Sequence, residues 1–207
     1  MIGRNRSEGE RVLPPRGRSI MFIDNSNIFR NLNLVGQEFR IDYKQFQAVM
    51  EREGPIWETH FFATEAIDED YAREKQNDFY NFLRLSLNYH VHTVRLKTRE
   101  VRCQNCGMNW LSHVEKGIDV WLASKMLILL SRNAFDTCIL VSGDGDYLEA
   151  VKEVRNMAKK VELVAFRGSY SRELAEQVTK ITFIEEIADE IRMEFGSRYN
   201  SSFASNP

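Results

Sequence analysis

The sequence predicts an α/β domain with a mostly parallel sheet and helices on both faces. Short apolar runs alternate with segments of helical period, and parallel strands need such crossovers. The first run is continuously apolar, as a strand covered on both faces must be. Size agrees: 207 residues and 24.2 kDa, 43% hydrophobic and 28% charged, suit one domain with a sizeable core.

Each element can be justified in order. Residues 1–17 hold Arg4, Arg6, Arg11 and Arg16 with Pro14-Pro15, and read as a flexible basic arm that gives way to order at Arg18. Ser19-Ile20-Met21-Phe22-Ile23 is the first strand, leaving the sheet into a polar turn at Asp24-Asn25-Ser26-Asn27. A helix over 43–51, a break at Gly54-Pro55 and a strand over 56–64 follow. Tyr71, Phe79, Phe82, Leu83 and Leu87 recur near a 3.6-residue period, giving a helix over 69–87, and 90–97 is the next strand. Residues 99–115, with Cys103 and Cys106, read as an irregular insertion. Gly117 opens a helix carrying Val120, Ala123, Leu127 and Leu130 that ends near Asn133. A strand over 137–141, a helix over 147–158 and a strand over 161–166 continue the alternation inside a domain spanning 18–195. The Ser/Asn-rich tail, 196–207, is expected to be disordered.

Charge and cysteine content exclude several classes. Lys and Arg number 28 against 30 Asp and Glu, a net charge of −2, so only the distribution of charge can speak for a nucleic-acid partner. Three cysteines are an odd number, which fits a reduced, cytoplasmic protein better than a disulfide framework. No signal-peptide core is visible, and no apolar stretch approaches the roughly 20 residues of a spanning helix.

In open α/β sheets ligands sit beyond the carboxyl ends of the strands, and carboxylates stand there in three segments. Asp24 follows the first strand, Asp119 lies in the first turn of a helix, and Asp144 and Asp146 follow the strand ending at Val141. Singly, each has a structural explanation: an Asx turn, a helix N-terminus, a capping box with Glu149. Together they would repel one another unless they raise one another's pKa or take up cations. All-oxygen ligands favour Mg²⁺ or Mn²⁺.

Phe22-Ile23-Asp24-Asn25-Ser26-Asn27, Lys116-Gly117-Ile118-Asp119-Val120 and Ser142-Gly143-Asp144-Gly145-Asp146-Tyr147 resemble the signature segments of the NYN domain, in its LabA-like branch of the PIN-like nuclease superfamily. The resemblance spans about residues 18–190. It implies a three-layer α/β/α, Rossmann-like fold and a metal-dependent ribonuclease. Carried over, Asp24, Asp119, Asp144 and Asp146 would be the catalytic metal ligands, supported by Asn25, Asn27 and Ser142. The expected chemistry is hydrolysis of RNA phosphodiesters by water activated at Mg²⁺ or Mn²⁺, without a protein nucleophile. The alternative is a non-catalytic RNA- or protein-binding module that keeps the fold.

Such a site needs cations around it to attract a phosphate backbone. Arg95, Lys97, Arg99 and Arg102 alternate along and beyond one strand, and Lys116 precedes the Asp119 helix. A solvated strand edge explains the former equally well. Trp110 could stack a base or belong to the core. Cys103, Cys106 and His113 supply three ligands of a structural zinc site, to which His90, His92 or another subunit would add a fourth. A simple turn with reduced thiols and a redox pair remain open beside it. Cys138 reads as a small buried side chain. Single-stranded rather than duplex RNA is the expected partner, and a homodimer is compatible with the chain. Other chemistries fail on the first loop: Asp24 lacks the second Asp of an aspartyl-phosphate enzyme, Ile28 stands where an adhesion-type metal site needs Ser, and no Gly-rich turn is present for a dinucleotide.

Overall fold

Ser19–Asp24 (β1) is buried along its whole length, which fits a strand with partners on both sides and cover on both faces. On one side stand Ile56–Glu65 (β2) and His90–Arg95 (β3). The chain then forms a separate antiparallel hairpin, Lys97–Arg102 (β4) with Asn109–Val114 (β5). It crosses β1 to lay down Thr137–Val141 (β6), Lys160–Ala165 (β7) and Lys180–Phe183 (β8) on the other side. The six-stranded order is β3-β2-β1-β6-β7-β8 with every pairing parallel. Strand order reverses between β1 and β6, so the crevice beyond their carboxyl ends is the topological switch point. This computed structural model describes residues 16–65, 70–95, 97–102, 106–114 and 117–194. Residues 1–15 of the basic arm, Cys103, Lys116 and the tail lie outside the described residues, as do the side chains of Lys97, Arg99, Trp110 and His113.

The helices are Asn25–Asn31 (α1), Tyr43–Met50 (α2), Asp70–Ser86 (α3), Ile118–Ser131 (α4), Leu148–Asn156 (α5), Arg172–Glu176 (α6) and Ile184–Ile191 (α7). Along β1 the side chains alternate between two cores. Met21 and Ile23 pack with Ile28, Phe46, Leu83 and Ile191, from α1, α2, α3 and α7. Ile20 and Phe22 pack with Leu122, Val151 and Leu174, from α4, α5 and α6. The molecule is therefore the expected three-layer α/β/α arrangement. Among the described residues no helix is long and apolar enough to cross a membrane.

Three local expectations are corrected. The polar turn after the first strand is a helix: Asp24 caps α1 by accepting from the Asn27 N–H at 3.0 Å, so these turn-forming residues start α1 at once. The strand expected over 90–97 divides between β3 and β4. Most of the irregular insertion is the β4–β5 hairpin, and β4 holds a single apolar residue, Val101, so it shows no apolar face that periodicity could detect. Residues 167–195, unassigned from sequence, hold α6, β8 and α7.

Arg16, grouped with the basic arm, is buried at the opposite end of the sheet from the acids. Its guanidinium grips Glu162 of β7 through two bonds of 2.9 and 2.7 Å and donates to the Met50 carbonyl. Removing one partner strands a buried charge, a loss of about 3–5 kcal/mol, whereas replacing both can be near neutral. Arg16→Leu is expected to lower the unfolding free energy by that amount in urea titrations, and Arg16→Leu with Glu162→Leu to recover most of it. Equal destabilisation of single and double variants would sink this account.

Candidate active site

Asp24 ends β1 at the switch point and is fully buried. One carboxylate oxygen accepts the Asn27 N–H; the other accepts the Ser142 hydroxyl at 3.2 Å and the Tyr147 hydroxyl at 3.0 Å. Tyr147 also stands 3.3 Å from Asp119 Oδ1, in the first turn of α4. One phenol proton serves one carboxylate at a time, so the Asp24–Tyr147–Asp119 bridge lacks a proton or a cation to be satisfied on both sides. Burial pushes the Asp24 carboxyl above the ordinary range, against its hydrogen-bond donors, and Asp119 adds repulsion. Burial likewise raises Asp119, with Asp144 and Asp146 adding to the shift while the Tyr147 bond and Arg30 oppose it. The Tyr147 phenol is pushed far up by burial first and the two carboxylates second, so it stays a donor.

The loops are fixed by backbone geometry. Gly117 precedes α4 with φ 95°, a left-handed conformation that favours glycine, and sets the helix carrying Asp119. After β6, Ser142 accepts the Asp144 N–H at 3.2 Å while donating to Asp24, and the Asn27 side chain accepts the Gly143 N–H at 3.0 Å. Asp144 caps the short turn Gly145–Tyr147 by accepting the Asp146 N–H at 3.1 Å. Asn25, expected as a support, accepts instead from the Tyr43 hydroxyl at 2.9 Å. Asn27 and Ser142 thus brace Asp24 directly, and Asn25 ties α1 to α2.

The four aspartates gather without closing into a ligand cage. Among the described residues no three His, Cys, Asp or Glu side chains stand in an arrangement that could hold a metal ion. Asp24 turns its oxygens to Asn27, Ser142 and Tyr147, and Asp144 turns one to its own helix cap. In kind, however, the donors fit a hard divalent cation: all are carboxylate oxygens, two of them with unfavourable charge.

Two neighbours escaped the sequence reading. Tyr147, taken as the start of a helix, is the bridge. Arg30 of α1 donates to the Ser26 carbonyl at 3.1 Å and lies within electrostatic range of Asp119. A helix read as a turn gave no reason to place Arg30 there. Arg95 is exposed and pairs with Glu65 at 3.1 Å. Arg102 is exposed at the end of β4. Cys106 is exposed, and His92 Nε2 is 3.0 Å from His60 Nδ1. Cys138 is fully buried in β6, which pushes its thiol far up.

The NYN domain family matches residues 18–185. Among solved structures, a protein of unknown function from Vibrio parahaemolyticus is similar with a TM-score of 0.62 and 21% identity, covering 86% of this chain and 98% of that one. At that identity the likeness is one of fold. No curated protein matches the chain.

Proposed function

Since the chain belongs to the NYN domain family, within the PIN-like nuclease superfamily, we propose that it is a divalent-metal-dependent endoribonuclease acting on single-stranded RNA at the acids of the switch point. The observation that carries this reading is the Asp24–Tyr147–Asp119 bridge with Asp144 and Asp146 in electrostatic range. Concentrated, partly desolvated negative charge is destabilising unless a cation or a proton offsets it.

Asp24, Asp119, Asp144 and Asp146 would supply the oxygens for Mg²⁺ or Mn²⁺. The bound cation supplies water activation and neutralises charge on the phosphate. Asp24 is the rigid member, held by Ser142, Asn27 and Tyr147. Tyr147 keeps its proton and donates it to one of the two carboxylates it stands between. Arg30 is placed to draw a backbone phosphate toward the otherwise negative crevice, and Lys97, Arg99 and Lys116 are proposed as further phosphate contacts.

The test is cleavage of end-labelled single-stranded RNA, single-stranded DNA and duplex RNA in Mg²⁺, in Mn²⁺ and in EDTA. Internal cutting of single-stranded RNA that needs metal and stops in EDTA is the expected result. RNA binding without turnover in either metal would instead favour the non-catalytic module.

A further inference from the structure

Three of the chain's four histidines lie on one face of the sheet beside the acids. Phe22 of β1 pairs in register with His60 of β2, and His60 with His90 of β3. Their rings form a stack across the strands: Phe22 to His60 at 5.5 Å and 16°, His60 to His90 at 4.8 Å and 19°. The next row is Asp24, Phe62 and His92, with Phe62 and His92 stacked at 4.6 Å and 21°. Both rows end on β3, the edge strand. Trp121 of α4 stands edge-on to both His92, at 5.0 Å, and Phe62, at 5.9 Å.

Hydrogen bonds hold the stack in register. Glu58 can only accept, so His60 Nε2, 3.2 Å away, carries a hydrogen; His60 Nδ1 then accepts from His92 Nε2 at 3.0 Å. Burial keeps both rings neutral at physiological pH, lowering His60 to about 3 and His92 to about 4. His90 is the outermost ring. Its side chain is 54% exposed: His60 covers one face of the ring, and among the described residues no ring stacks on the other.

We infer that the open face of His90, on the strand that also carries His92, is the subsite where an unpaired base of the RNA strand stacks while a neighbouring phosphate lies at the acids. The inference rests on the nuclease reading. A base there extends the existing series of parallel rings by one member. Strand spacing puts His90 roughly 12 Å from Asp24, two strands across and one pleat back, a short step along a single strand. Lys125 of α4 lies in electrostatic range of His60 and His92 and complements the backbone of a strand crossing this face. A duplex keeps its bases stacked inside and cannot use such a shelf.

The test is binding of a fluorescein-labelled 12-nucleotide oligouridylate in EDTA, followed by anisotropy. His90→Ala is expected to weaken binding roughly 5- to 150-fold, the worth of one stacked base, and His90→Phe to restore it. On an oligonucleotide of the same length with abasic sugars, wild type and His90→Ala should bind equally. Lys125→Ala should instead lower the salt dependence by about 0.7 in log–log slope on both ligands. Unchanged affinity in His90→Ala, or a loss that persists on the abasic strand, overturns the subsite. If wild type still cuts RNA in Mn²⁺ under those outcomes, the nuclease reading survives alone. A wild type that neither binds nor cuts removes both.

Discussion

Asp119→Asn protein is expected to lose at least about 10³-fold in RNA cleavage while melting at the wild-type temperature or above it. The loss follows if a carboxylate oxygen of Asp119 is needed to hold the cation, since charge stabilisation of a transferring phosphoryl group is the main work of such a site. The retained stability follows from the direction of its pKa. Asp119 is raised in the folded state by burial and by Asp144 and Asp146. Between the ordinary carboxylate value, about 3.9, and that raised value, the unfolded chain gives up its proton first, so rising pH favours unfolding. Asn removes this cost, and the Tyr147 proton is then free for Asp24. Two measurements check the account: turnover in Mn²⁺, and melting temperature from pH 4 to 8 without metal. Wild type should lose stability as pH rises through the folded values of Asp24 and Asp119, and Asp119→Asn should lose less. Mn²⁺ should raise the wild-type melting temperature more at pH 8 than at pH 5. A variant that keeps a tenth of wild-type activity, or melts well below wild type, would count against this role. Asp24→Asn is a weaker test, because the amide would turn a donor toward a pocket built of donors: the Asn27 N–H, the Ser142 hydroxyl and Tyr147.

The reach of sequence reasoning here follows from what a linear pattern can encode. β1, β6 and β7 are legible because central parallel strands must be apolar on both faces, and the alternation with helices then dictates crossovers and a switch point. The positions of Asp24, Asp119 and Asp144 at that switch point follow with them. Helix α1 was hidden because Asp24, Asn25, Ser26 and Asn27 favour turns as strongly as caps. The hairpin was hidden because Lys97 to Arg102 alternates charge with few apolar residues. Arg16 looks like any arm arginine until Glu162, in a distant strand, is placed beside it. The ring rows need the register of three parallel strands, Phe22 with His60 with His90, and register is set by tertiary packing rather than by local sequence. Tyr147 sat within a motif read from its acids, and its hydroxyl acquires a role only once Asp24 and Asp119 arrive from separate elements.

Gly143→Ala should damage the site more than any surface change, although no catalytic group is altered. A Cβ at this position would stand 1.9 Å from the Ser169 carbonyl oxygen, 2.9 Å from Ser169 C and 3.0 Å from Tyr170 Cα. All three are backbone atoms, so no rotamer change relieves the clash, and one of two loops must move. Both are pinned: the Gly143 N–H to Asn27 at 3.0 Å, and the Gly143 carbonyl to the Ser171 N–H at 2.9 Å. Overpacking of this kind costs about 1–3 kcal/mol. The larger effect is on chemistry, because Gly143 lies between Ser142, which holds Asp24, and Asp144. A shift of about 1 Å in a positioned group can lower turnover about 10²-fold. Gly145→Ala is the control, since its nearest neighbours are the Ser171 Cβ and Oγ at 3.3 Å, a side chain able to give. Cleavage rates and urea unfolding of the two variants separate the outcomes: Gly143→Ala should lose stability and about 10²-fold in rate, and Gly145→Ala should stay within a few-fold of wild type. Comparable mild effects in both would mean that the approach of the β6 and β7 loops does not set the position of the acids, and that Asn27 and Ser142 hold Asp24 without it.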